Sequence, residues 1–384
     1  MTIYSIVIVI LLFLFLIEQK GISDKADKRL FLMASFLVFF VMAFRGENVG
    51  GDFLEYCHFW EGKDDVYGTW KEPNVLLMFE PGLSWLCYFL HIFNDGDPFF
   101  FIFCTSAIIL FPFFYIVCRD CKFRVLPVLL YVILWGLLDI SYTGLRQVIG
   151  VSICLIAYIV WTASFKRNKY KIILTTLLFG LALSFHTSMY FTVPIFVGFL
   201  FIKRISKRTC ILFLFLSLLF GILFAKFASY LFDIIGALFT SVEFLFRFDH
   251  YFEGNTHEDG LTTAVIGLQQ IITTSLVCLI VYLSNFSSRN IYYAVSLTIG
   301  CSMVNIFVSF PQAGRFIYPL LLMGVMLTPS YMILPKKKIY RIVLISSIII
   351  LSLHRIHIWE IGYEDRTSEF YQLSQMFPYK FIWE

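Results

Sequence analysis

Long apolar runs separated by short polar connections organise this chain. They fall at about 3–17, 30–44, 99–118, 125–138, 148–165, 172–185, 189–202, 209–227, 264–283, 291–310, 316–334 and 339–353, twelve in all. Within each run the apolar residues are continuous and do not alternate with polar ones, which excludes the strands of a membrane barrel. Helices are then the only way to satisfy the backbone inside a bilayer. Several runs fall short of the roughly 20 residues a span prefers, so flanking residues must complete them. The pattern predicts an all-α integral membrane protein of about twelve transmembrane helices, one polytopic domain over 1–384, with larger polar segments at 45–98 and 228–263. The first run, Ile3–Ile17, has neither a basic leader before it nor a small-residue cleavage site after it, and is read as a retained span.

Charge sets the orientation. Taking every second connection as one side, the loops 18–29, 119–124, 166–171, 203–208, 284–290 and 335–341 hold 20 of the 30 Lys and Arg but only 4 of the 26 Asp and Glu. Basic loops stay in the cytoplasm, so both termini are expected outside. The same parity places Pro81–Phe93 (PGLSWLCYFLHIF), because counting it as a span would reverse every later loop. It is expected to be a helix on the outer surface with Pro81 in its first turn. A second outward amphipathic helix is expected within 229–251, where Asp233, Glu243 and Arg247 interrupt the apolar residues.

Composition narrows the chemistry. Hydrophobic residues make up 59% of the 384, well above the half typical of soluble domains, with 45 Phe and only 11 Pro. The nine Cys are scattered, and the single pair Cys118 and Cys121 has no partner pair or nearby His, so it is read as incidental. There is no phosphate-binding glycine loop, dinucleotide fingerprint or zinc-protease helix. No cofactor, metal or nucleic acid is called for, and a working site should open outward, where the long loops are.

Four Arg stand at or near the outward ends of runs: Arg45, Arg146, Arg247 and Arg315. A guanidinium is permanently charged and grips phosphate oxygens in a planar fork. Each Arg alone would equally suit snorkelling to headgroups or pairing with an outer carboxylate. Four on an otherwise acidic face favour an anion cavity for a pyrophosphate. Arg146, followed by Gln147 and preceded by Gly144, is the leading candidate. His186, in the turn Ser184–Ser188, could move a proton or could simply bond a loop carbonyl. Asp52 follows Gly50 and Gly51 and would serve as a catalytic carboxylate or as a helix N-cap, with Tyr56 on its face one turn later. Glu80 before Pro81 has the same two readings. His354, Arg355 and His357 are read as an interfacial anchor.

The series Phe44-Arg45-Gly46, Gly50-Gly51-Asp52, Tyr56, Glu80-Pro81-Gly82, Leu145-Arg146-Gln147, His186 and Gly314-Arg315-Phe316-Ile317-Tyr318 resembles the EpsG family of Wzy-like bacterial polysaccharide polymerases. The likeness runs over nearly the whole chain; Gly50-Gly51-Asp52 stands where members usually carry Gly-Thr-Asp. It implies a GT-C-like multi-span enzyme of the bacterial plasma membrane. Such an enzyme joins undecaprenyl-pyrophosphate-linked oligosaccharide repeat units at the outer face, for O-antigen, capsule or exopolysaccharide, either alone or with a flippase and a chain-length regulator. Arg45, Arg146, Arg315 and Arg247 would then hold the pyrophosphate, with His186, Asp52 and Arg146 catalytic and Tyr56, Glu80, Gln147 and Tyr318 on the substrate. The aromatic residues of 53–70, Trp60, Tyr67 and Trp70 among them, could stack on sugars. Competing readings are a glycan ligase, a flippase of lipid-linked sugars, and a membrane acyltransferase using His186. The apolar middles of the runs argue against transport, and the short cytoplasmic loops offer no site for an acyl donor.

Overall fold

The computed structural model describes residues 2–47, 49–50, 52–63, 67–74, 80–134, 137–164, 168–202, 204–239, 268–287, 289–306, 313–328 and 338–364. Fifteen helices and no strand occur among them. In chain order they are α1 (Ile3–Glu18), α2 (Asp24–Ala43), α3 (Phe53–Glu61), α4 (Gly82–His91), α5 (Pro98–Asp120), α6 (Val125–Ile133), α7 (Leu137–Thr143) and α8 (Leu145–Thr162). There follow α9 (Asn168–Leu183), α10 (Met189–Leu200), α11 (Lys207–Phe239), α12 (Leu268–Leu283), α13 (Asn290–Ile306), α14 (Ala313–Gly324) and α15 (Lys338–Glu364).

Every apolar run holds a helix, and α3 and α4 are extra, both within the first large polar segment. Start signals in the sequence are used as read by elementary capping rules. Ser23 accepts the Ala26 amide at 3.3 Å, and Asp97 accepts the Phe99 amide at 3.0 Å with Pro98 as first helical residue. The helices bury one face on one another and turn the other outward with large apolar side chains. Phe13, Leu32, Phe36, Leu177 and Phe215 are each more than 60% exposed to the surroundings, which only a lipid solvent tolerates at this density. The chain is therefore an all-helical membrane protein. By length and apolarity α5, α8 and the stretch Lys338–Glu360 of α15 can each cross a membrane alone.

Two elements differ from the expectation. The run at 125–138 is two helices, α6 and α7, bent by 67° and together apolar and long enough for one span. Residues 229–239 continue α11 instead of starting a separate surface helix, and 240–251 lie outside the described residues. The stretch 81–93 does form a helix, α4, with Pro81 as its N-cap residue.

Polar contacts gather the helix ends into two sets. At one end Arg124 reaches Asp27 at 2.5 Å and Asp24 at 2.9 Å, Glu18 accepts the Val125 amide at 2.8 Å, and Arg289 pairs with Asp120 at 2.5 Å. Arg341 donates to the Gln19 carbonyl and Lys207 to the Tyr282 carbonyl on the same end. At the other, the Thr2 amide donates to Glu360 at 2.8 Å, and Arg146 meets Glu80. The large segment 45–98 lies at the second end, and so does the candidate site.

Candidate functional site

Two glycines dock the first polar segment onto the bundle. Gly50 has φ +116°, a conformation side chains rarely adopt, and a Cβ there would sit 2.6 Å from the Tyr142 carbonyl oxygen. Gly82 donates its amide to the Ser184 carbonyl at 2.7 Å, and a Cβ on it would lie 2.6 Å from that same oxygen. The segment is thus pressed against α7 at one point and against the turn between α9 and α10 at the other.

Between these points the side chains converge on Arg146, the second residue of α8. Its Nε donates to the Tyr56 hydroxyl at 3.3 Å and its Nη1 to Glu80 Oε2 at 2.8 Å. The guanidinium carbon lies 5.1 Å from the centre of the Tyr67 ring, and Tyr67 stacks flat on Tyr56 at 5.3 Å and 7°. The other oxygen of Glu80 accepts the Thr187 amide at 2.6 Å. One carboxylate therefore ties α8 to the turn carrying His186. Both partners are almost out of solvent, Arg146 9% exposed and Glu80 6%. Burial, with Tyr56 beside it and the Asp52 carboxylate within electrostatic reach, raises the Tyr67 hydroxyl far above its ordinary range, so it stays a neutral donor.

His186 is oriented by its own turn. Its Nδ1 accepts the Ser188 amide at 3.0 Å and lies 2.8 Å from the Ser188 hydroxyl. A neutral ring held this way carries its hydrogen on Nε2, the tautomer of a donor rather than of a proton acceptor at that atom. Asp52 stands at the N-cap position of α3, as expected, but its side chain makes no capping bond. It is exposed, with its carboxylate within electrostatic reach of Tyr67.

The structure therefore brings Asp52, Tyr56, Glu80, Arg146 and His186 into one neighbourhood, with Gln147 buried beside Arg146. Arg45 is close by in a different setting. It is fully buried, its guanidinium 3.8 Å from the Phe53 ring centre and 4.4 Å from that of Tyr142. Packed between these rings, it braces α3 against α7 by cation–π attraction, with no surface exposure. Tyr318 is also fully buried: its hydroxyl is 2.8 Å from Ser141 Oγ, which in turn lies 2.5 Å from the Tyr131 hydroxyl. It belongs to the core against α7, its hydroxyl also donating to the Leu137 carbonyl at 3.2 Å. Arg315 lies in α14, but its side chain is outside the described residues, as is the whole of Arg247.

Arg355 is not an interfacial anchor. It is buried, ion-paired with Asp139 of α7, and packed 4.8 Å from the Trp359 ring centre. An acid and a base in apolar surroundings each demand a partner; that rule flags both residues but does not pair them.

A helical membrane protein with an Arg–carboxylate–phenol cluster gathered at one end of its bundle is the class these observations define. The chain belongs to the EpsG family, whose model matches residues 28–381 and so contains the whole cluster. The family is one of glycosyltransferase-like polymerases of polysaccharide biosynthesis. Neither the curated proteins nor the solved structures compared with it include a match.

Proposed function

We propose that this protein polymerises undecaprenyl-pyrophosphate-linked oligosaccharide repeat units at the outer face of the bacterial plasma membrane. In this reading it has a twelve-span, GT-C-like architecture and both termini outside. The carrying observation is Arg146, held by Tyr56, Tyr67 and Glu80 next to the His186 turn, with Asp52 within electrostatic reach of Tyr67.

A hydroxyl oxygen of one lipid-linked unit attacks the anomeric carbon at the reducing end of the growing chain. The new C–O bond forms as the bond to the pyrophosphate oxygen breaks, and undecaprenyl pyrophosphate departs with the electron pair. Charge grows on the leaving oxygen, where a fixed guanidinium stabilises the transition state more than the ground state. Arg146 is that group, with Arg315 and Arg247 assigned to the same anion; Arg45 positions α3 and α7 behind it. The attacking hydroxyl gives its proton to Asp52, the exposed carboxylate of the cluster. His186, with its hydrogen on Nε2, donates to a pyrophosphate oxygen instead of acting as the base. Tyr56 and Tyr67 offer ring faces and neutral hydroxyls to the sugars, and Gln147 supports the floor. The energy comes from the pyrophosphate already on the donor.

Purified protein in liposomes, given its host's lipid-linked repeat unit and no nucleotide, tests this. A ladder of products that Arg146→Ala abolishes, with the variant still folded, supports polymerisation. Movement of the substrate to the opposite leaflet without a ladder would replace it with a flippase. Transfer only to a foreign acceptor would replace it with a ligase.

A further inference from the structure

A second polar space lies apart from Arg146. It is a cavity of about 240 Å³ between α6, α12, α13, α14 and α15. Its polar wall is Gln270, Thr273, Thr274, Asn305, His354 and Arg355. Ile133, Leu134, Val304, Leu321 and Leu351 line the rest.

Amides and hydroxyls among apolar helices are costly unless something uses them. Part of the wall is preorganised: Asn305 Nδ2 donates to Ser217 Oγ at 3.0 Å and to Thr274 Oγ1 at 3.1 Å. Fixed this way, the Asn305 and Thr274 side chains hold set directions. The one permanent charge on the wall, Arg355, is balanced by Asp139. A wall of amide and hydroxyl groups that both donate and accept, without net charge, matches a ligand whose groups also do both. It does not match an acyl chain, which has no use for amides. The volume is below the ~300–1,000 Å³ of drug-sized sites and suits a single ring.

We propose that this cavity binds one neutral sugar ring of the saccharide, separately from the pyrophosphate at Arg146. The choice of a sugar rests on the polymerase reading. The two sites share α7, since Asp139 holds Arg355 on the cavity wall and Tyr142 covers Arg45 below the cluster. The apolar wall takes the C–H face of the ring, and Gln270 and Thr273 of α12 take its hydroxyls, on a wall set by the Asn305–Thr274–Ser217 network.

The test uses the full-length protein in detergent and calorimetric titration with two probes. One is the single-repeat oligosaccharide cut from the host's own polysaccharide; the other is inorganic pyrophosphate. Thr273→Phe fills the cavity, and Gln270→Leu removes hydrogen bonding at nearly constant size. Each should weaken oligosaccharide binding at least 10-fold and leave pyrophosphate binding within 2-fold. The second variant keeps the test valid where the first fails to fold. Unchanged oligosaccharide affinity in the folded variants overturns the proposal. So does a wild type that polymerises the lipid-linked unit yet shows no oligosaccharide binding; the cavity is then a hydrated interlock between helices. Oligosaccharide binding lost in the variants, together with a wild type that makes no ladder, keeps this site and removes the polymerase reading instead.

Discussion

Replacing Glu80 and Arg146 singly and together tests the joint at the centre of the site. Their 2.8 Å contact is nearly dry, with Glu80 6% and Arg146 9% exposed. At an effective dielectric of about 20, charges this close attract by about 6 kcal/mol, but taking both from water offsets much of that. Truncating one partner leaves the other buried and uncompensated, which costs about 3–5 kcal/mol. Glu80→Ala also strips the Thr187 amide of its 2.6 Å acceptor, so it should fall at the upper end. Glu80→Gln is not a gentle version of this change: whichever way the amide points, its NH2 faces either the Arg146 or the Thr187 donor. Arg146→Met should cost less, because the Met stem can keep contact with Tyr67. The double variant should recover about 2 kcal/mol relative to the sum of the single losses, within the range found for touching pairs. Reversible unfolding in mixed micelles, followed by circular dichroism, measures all four corners of the cycle. A coupling below about 0.5 kcal/mol would mean the pair is absent or solvated, and the placement of Arg146 argued above would fall with it.

Three further outcomes follow from the same contacts. Gly50→Ala meets both a positive φ and a carbonyl oxygen at 2.6 Å; it should cost about 1–3 kcal/mol and lower activity by displacing α3, read by thermal unfolding beside a polymerisation assay. Asp139→Asn should destabilise by about 3–5 kcal/mol as an unbalanced Arg355 is left in the core, and adding Arg355→Met should restore most of it. Tyr56→Phe removes a hydrogen bond from a charged donor, worth about 1.5–3 kcal/mol; it should reduce kcat without unfolding the protein, whereas Tyr318→Phe should affect stability alone.

How much of this was legible before the structure depends on the range of each interaction. Helix positions were readable because apolar runs declare themselves locally, and the helix α4 was readable from the apolar stretch that follows Pro81. The bend between α6 and α7 was not readable, since the run stays apolar up to it and hydropathy does not see direction. The extension of α11 to Phe239 was missed for the opposite reason: Lys226 and Asp233 look like a span end, yet the helix runs past both. In the site, the residue types Asp52, Tyr56, Glu80, Arg146 and His186 were recoverable from polarity and position. Their pairing was not, because Glu80 lies 66 residues from Arg146 and 107 from Thr187, separations that leave no local trace. Arg45 and Tyr318 were flagged for their chemistry but are used for packing, which depends on the faces of Phe53, Tyr142 and Ser141 arriving from elsewhere. Arg355 was misjudged because a cation just past an apolar run resembles an anchor until its acid, far away on α7, is known.

The role proposed for Arg146 is to carry the charge that develops on the leaving pyrophosphate. It is tested most directly by the rate of undecaprenyl pyrophosphate release in liposomes at saturating repeat unit, wild type against Arg146→Ala, each shown folded by its circular dichroism. Loss of one such preorganised donor should lower kcat by about 10²–10³-fold. A folded Arg146→Ala protein that releases undecaprenyl pyrophosphate within about threefold of wild type would contradict the claim, since a fixed group at the developing charge is worth far more than that.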